Sequence, residues 1–191
     1  FGTDGVRGEA NAYPMTAEIA LQLGAAVGNY FGAKSLHARR VVIGKDTRQS
    51  GYMFENALTA GLTSAGMDVL LLGPVPTPAV GLLTPSMRAD LGIMVSASHN
   101  QFRDNGIKFF QADGTKPSES MEQNLDEAVG AADAVDASSW PFVEDVASEK
   151  CELYLKSVRQ AFPKGMLSGK RIALDCSNGA LSAFAREVFE A

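Results

Sequence analysis

Apolar residues recur with two spacings along this chain. Ile19, Leu23 and Val27, joined by Tyr30 and Phe31, keep a helical period behind Thr16, whose hydroxyl suits an N-cap. Gly32 is the expected end of that helix. Short apolar runs at Val41-Val42-Ile43, Val69 to Leu72 and Leu91 to Val95 read as buried strands. A second helix is expected from Tyr52 to Ser64, and Pro74, Pro76 and Pro78 predict an extended link after the strand at Val69. Ile107 to Phe110 reads as a further strand, ended by the turn pair Asp113-Gly114, and Pro117 opens a helix carrying Met121, Leu125 and Val129. Beyond it lie a helix from Cys151 to Phe162, a strand at Ile172-Ala173-Leu174 and another helix start.

Strands alternating with helices predict an α/β fold built of parallel βαβ units. The expected architecture is a three-layer domain with a mixed, mostly parallel sheet over residues 1–138. Gly130 to Pro141, rich in Ala, Ser and Asp, is the best linker candidate. Residues 139–191 then hold linker and the incomplete start of a second, similar domain. Phe1 is not an initiator Met and Ala191 falls in a helical pattern, so both ends look cut.

Composition narrows the function. The 191 residues are 46% hydrophobic and 20% charged, enough for a sizeable core. Seventeen basic against 22 acidic residues give a net charge of −5, which argues against general nucleic-acid binding and leaves room for a small anion. Cys151 and Cys176 lack metal-site spacing and read as reduced thiols, and His37 and His99 are too far apart for a zinc site of the His/Cys kind. With no membrane-length apolar run and no signal-like start, a soluble, cytoplasmic protein is expected.

The chemistry concentrates in Ser96-Ala-Ser-His-Asn100, a polar loop at the end of the strand Leu91 to Val95. Ligands bind at the carboxyl ends of strands in α/β folds. Ser98 offers a hydroxyl, His99 an imidazole and Lys108 an amine. A serine hydrolase fits poorly, because the Gly-x-Ser-x-Gly elbow is absent and neighbouring side chains diverge. Taken alone, Ser98 and His99 are equally readable as loop residues satisfying nearby backbone, and Lys108 as a solvated strand lysine. Gly44 to Gly51 lacks P-loop spacing and reads as a strand-to-helix turn with Ser50 near the helix start. The glycines of Phe1-Gly-Thr-Asp-Gly-Val-Arg-Gly8 would let the backbone turn sharply and hold Arg7 towards an anion.

Five segments together carry more weight than any alone. Phe1 to Gly8, Gly44-Lys-Asp-Thr-Arg-Gln-Ser-Gly51, Pro76-Thr-Pro-Ala79, Ser96-Ala-Ser-His-Asn100 and Asp104-Asn-Gly-Ile-Lys-Phe-Phe110 stand in the order and spacing of the α-D-phosphohexomutases. The chain resembles that family along its whole length, and the branch acting on glucosamine phosphate more than the phosphomannomutases. Leu174-Asp-Cys-Ser-Asn-Gly179 looks like the opening of the family's second domain. Gln101 stands in place of the usual Pro, and Lys45 where Arg is common.

The resemblance implies a phosphoserine enzyme interconverting hexosamine 6- and 1-phosphates through a 1,6-bisphosphate. It makes Ser98 the phosphoryl carrier and a Mg²⁺ ligand, Lys108 a candidate general acid/base, and His99 and Arg7 supports of the phosphoserine. Sugar phosphates are the expected partners, with a homodimer left open and no nucleic acid or membrane. The family's Asp-Gly-Asp-x-Asp-Arg magnesium loop does not occur in these residues, so the fragment is expected to be inactive alone. A phosphomannomutase or phosphoglucomutase, or a non-catalytic module of the same fold, are the alternatives.

Overall fold

The computed structural model describes residues 5–34, 39–129 and 140–190. His37, Phe1 to Asp4 and most of the expected linker lie outside them. The chain order is β1 (Val6–Glu9), α1 (Ala17–Lys34), β2 (Arg40–Lys45), α2 (Ser50–Ser64), β3 (Asp68–Pro74), α3 (Thr77–Ser86), β4 (Leu91–Val95), β5 (Asp104–Gln111), α4 (Glu119–Ala128), β6 (Val143–Asp145), α5 (Ala147–Gln160) and α6 (Ala185–Phe189).

One six-stranded sheet runs β1-β5-β4-β2-β3-β6. The β4-β2-β3-β6 strands pair in parallel, while β5 pairs antiparallel with both β4 and β1. Parallel strands are covered on both faces, and their side chains divide accordingly. Val41, Ile43, Val69, Ile93 and Val95 enter one core with Leu23 and Val27 of α1 and Phe54 and Leu58 of α2. Val42, Leu70, Leu72 and Met94 enter the other with Val80 and Leu83 of α3 and Leu155 of α5. The expected three-layer α/β arrangement with a mixed sheet is therefore observed.

Local chemistry explains most boundaries. The amide of Ile19 donates to Thr16 Oγ1 at 3.3 Å, so Thr16 caps α1 as its position suggests. Helix α1 nevertheless runs past Gly32 to Lys34. The three prolines do not make one extended link. Pro76 is extended at φ −62°, ψ 146°, but Pro78 sits in the first turn of α3, where its missing N–H costs no helical hydrogen bond. Ile172-Ala173-Leu174 forms no strand: no described segment pairs with it, and Ile172 and Leu174 stay exposed. A ladder needs a neighbour to take its backbone groups.

Residues after the expected linker are built onto the first sheet. Val143–Asp145 pair with Val69–Leu71, the amide of Val146 donates to the Leu71 carbonyl at 2.9 Å, and Tyr154 of α5 meets Phe184 edge-to-face at 6.1 Å.

Helices α1 and α2 cross with almost no space between their backbones. A Cβ on Gly61 would lie 2.1 Å from the Leu21 carbonyl oxygen, and one on Gly24 would lie 2.5 Å from that of Leu58. Gly61→Ala therefore forces the helices apart, and the overpacking outweighs alanine's better helix propensity, about 1 kcal/mol. A net loss of about 1–3 kcal/mol in denaturant unfolding is expected; an unchanged midpoint would show that the crossing is looser than described.

Candidate active site

Strands β2 and β4 are parallel neighbours, so the turn after Lys45 and the loop after Val95 emerge side by side at one end of the sheet. The amide of Asp46 donates to the Val95 carbonyl at 3.0 Å, and that of Ser96 to the Gly106 carbonyl at 2.8 Å. These two bonds fix the base of the loop, and the serine of interest sits beyond it. Ser98 is exposed, with φ +59°, a left-handed conformation that costs an L-residue about 1–2 kcal/mol. Its Oγ lies 3.3 Å from His99 Nδ1.

Both peptide groups of Ser98 are held. On one side its N–H donates to Ser96 Oγ at 3.0 Å, and the Ser96 hydroxyl donates to Asp46 Oδ2 at 2.7 Å. On the other, its carbonyl accepts from Arg48 Nη2 at 3.1 Å. The same guanidinium reaches the carbonyls of Asn100 at 2.9 Å and Gln101 at 2.6 Å, while its Nε donates to Asp46 Oδ2 at 3.0 Å. Asn100 Nδ2 closes the loop onto Asp104 Oδ2 at 2.9 Å. Hydrogen bonds to charged groups stabilise by about 1.5–3 kcal/mol each, enough to offset the backbone cost at Ser98.

Register places the other expected residues beside this loop. Arg7 stands opposite Gly106, and Lys108 follows two residues further along β5, opposite Met94. Directly opposed and alternate residues share a sheet face, so Arg7, Lys108 and Ser96 point to the side away from α1 and α2. Gly106 leaves room for Arg7: a Cβ there would come within 2.9 Å of both Arg7 Cγ and the Ser96 carbonyl oxygen. Lys108 is half-buried, not a fully solvated strand lysine. Ser98, His99, Arg7 and Lys108 thus gather at one end of the sheet.

Asp46, Arg48 and Ser96 stand in the quoted motifs, but their role in holding Ser98 is not read from the sequence. The turn at Gly44 to Gly51 does connect strand to helix, with Ser50 opening α2, as read. Its further task, gripping a loop 50 residues away, leaves no periodic trace. The signal available is an Asp-x-Arg pair directly after a buried strand.

Beneath the turn, Lys45 Nζ pairs with Glu55 Oε2 at 2.6 Å, with both side chains almost fully buried, and lies 4.4 Å from the centre of the Tyr52 ring. The other Glu55 oxygen has no hydrogen-bond partner among the described residues. Asn105, fully buried, donates to Ser50 Oγ at 2.8 Å and accepts from the Gly106 amide, tying β5 to the start of α2.

No cluster of three or more His, Cys, Asp or Glu side chains suited to a metal occurs among the described residues. The Asp46 carboxylate at the base of the loop is committed to Arg48 and Ser96. The magnesium implied by the resemblance finds no set of oxygen ligands here, and these residues alone do not fit it. Among the described residues no helix is long and apolar enough to cross a membrane.

Comparison with known proteins bears on the family and the fold. Residues 1–136 match the family model described as phosphoglucomutase/phosphomannomutase, alpha/beta/alpha domain I. The chain is 57% identical over 189 residues to a protein named phosphoglucosamine mutase from Roseobacter denitrificans, and 59% over 194 residues to one from Jannaschia sp.. Each match covers 98% of this chain but 42% of the relative, so the chain spans about two-fifths of those proteins. A phosphoglucomutase/phosphomannomutase family protein from Burkholderia thailandensis superposes with a TM-score of 0.76 at 25% identity, over 97% of this chain and 40% of its own.

Removing one partner of the Lys45–Glu55 pair strands a buried charge. Lys45→Met is expected to lower stability by about 3–5 kcal/mol, and the double change Lys45→Met with Glu55→Leu to recover most of it. Thermal unfolding of both variants checks this; an equal loss in both would show that packing, not the unpaired carboxylate, sets the cost.

Proposed function

The chain belongs to the phosphoglucomutase/phosphomannomutase family, and we propose that it is the N-terminal part of a phosphoglucosamine mutase. The observation that carries this reading is Ser98 itself: an exposed hydroxyl on a left-handed residue, held from both sides at the carboxyl end of β4. The name borne by relatives at 57% and 59% identity supports the choice of hexosamine.

In the proposed reaction Ser98 carries a phosphoryl group. Its Oγ–P bond breaks as a bond forms from phosphorus to a free hydroxyl of glucosamine phosphate, and Lys108 relays the proton of that hydroxyl to the departing Ser98 Oγ, which leaves as the free serine hydroxyl. The product is a 1,6-bisphosphate. After it turns over in the site, the opposite P–O bond breaks, the phosphoryl returns to Ser98 Oγ and the proton goes back to the sugar oxygen. Net atoms and charge are unchanged, as an isomerisation requires.

Little covalent work falls to the protein in such a transfer, so positioning and charge neutralisation dominate. His99 contacts the serine oxygen directly, and Arg7 brings positive charge from β1, on the far side of β5 from the serine's strand. Bound magnesium would supply further neutralisation, with the phosphate on Ser98 as one ligand and the remainder from outside these residues. Residues 1–138 form the proposed phosphoserine domain and 139–191 the linker and start of a second, with 143–160 docked on the first domain's sheet. A cytoplasmic role in supplying amino sugar for cell-wall precursors follows from the same reading.

The full-length protein should interconvert glucosamine 6- and 1-phosphate faster than the mannose or glucose equivalents. Ser98→Ala should lower that rate by at least about 10³-fold, as loss of a covalent nucleophile does. A preference for mannose or glucose phosphate would move the protein to a sibling activity, and undiminished turnover in the Ser98→Ala variant would overturn the role of the serine.

A further inference from the structure

We propose that Arg48 is a positioning residue for Ser98, setting the direction in which its oxygen transfers the phosphoryl group. The inference rests on the phosphoryl-transfer reading above.

A guanidinium carries five N–H donors in a rigid planar fork, and Arg48 uses it on four acceptors: the Asp46 carboxylate and the carbonyls of Ser98, Asn100 and Gln101. Its side chain is only 10% exposed, and that of Asp46 14%. Asp46 Oδ1 also accepts the Arg48 amide at 3.0 Å, so the arginine is oriented by the carboxylate that anchors Ser96. One Asp-Arg couple thereby grips both sides of Ser98: its N–H through Ser96, its carbonyl directly. Two fixed peptide planes fix φ and ψ, and with them the Cα–Cβ direction along which Oγ projects.

Nothing in Ser98 itself favours this backbone conformation. Released carbonyls would let the residue relax towards φ below zero, swinging the hydroxyl away from His99. Lysine could replace the charge but not the fork, because an ammonium on a flexible stem cannot meet three spread carbonyls and a carboxylate together. Arg48 donates to no atom that reacts. Its effect passes through the loop.

The test uses the full-length protein with Arg48→Lys and Arg48→Ala. Misplacing a reacting group by about 1 Å costs on the order of 10²-fold, so kcat should fall about 10- to 100-fold in Arg48→Lys, with KM for glucosamine 6-phosphate changed by less than about twofold. Sub-denaturing guanidinium ion should restore part of the kcat of Arg48→Ala, whereas an equal concentration of sodium chloride should not. Amide exchange of the peptide spanning residues 97–101 should quicken in both variants. A purely stabilising arginine would lower the unfolding temperature yet leave kcat per folded molecule intact and unrescued, and that result overturns the proposal. Should the wild-type protein lack mutase activity, the functional reading fails separately. The exchange measurement then decides alone: unchanged exchange in Arg48→Lys sinks the positioning role, and faster exchange upholds the grip.

Discussion

A single left-handed, non-glycine residue at the tip of a buried strand constrains the site. Ser98 stays there because an ion pair on the neighbouring strand's turn holds its amide and its carbonyl at once. That arrangement depends on β2 and β4 being adjacent and parallel, since only then do Asp46 and Ser96 emerge together. Adjacency in turn depends on the two crossovers, α2 and α3, covering opposite faces of the sheet. The apolar division of the strands therefore has a chemical consequence at their polar ends.

The buried pair of Lys45 and Glu55 shows how the same end of β2 is held from below. Lysine at the last strand position turns inward to a helix carboxylate and an aromatic ring, leaving the next residues free to face the loop. Asn105 does the corresponding work for β5, linking it to Ser50. Three strands and one helix start are thus pinned within a few residues of Ser98. A site assembled this way is more rigid than its loop composition suggests.

Much of this was legible in the chain. The period of Ile19, Leu23 and Val27 marked α1, and the runs at Val41, Val69 and Leu91 marked the parallel strands. Ser98, His99 and Lys108 stood out as a loop and strand end with usable chemistry, and Arg7 as a cation among glycines. The failures share a cause, in that local preference was overruled by context. Pro78 reads as a helix breaker but is harmless in a first turn, and Ile172 to Leu174 has strand composition without a strand to pair with. The grip of Arg48 on the Ser98 loop was illegible for a different reason. Its four acceptors come from its own turn and from a loop about 50 residues on, and no spacing rule encodes a contact that exists only after the sheet has formed.

The central claim is that this geometry serves a serine that carries phosphate. It is tested most directly by incubating the full-length protein with glucosamine 1,6-bisphosphate and mapping phosphopeptides by mass spectrometry. The account predicts one phosphate, on Ser98, which exchanges during turnover: an ¹⁸O-labelled phosphate on Ser98 is replaced by unlabelled phosphate when unlabelled glucosamine 6-phosphate is supplied. Phosphate on another residue, or none on Ser98, would contradict it.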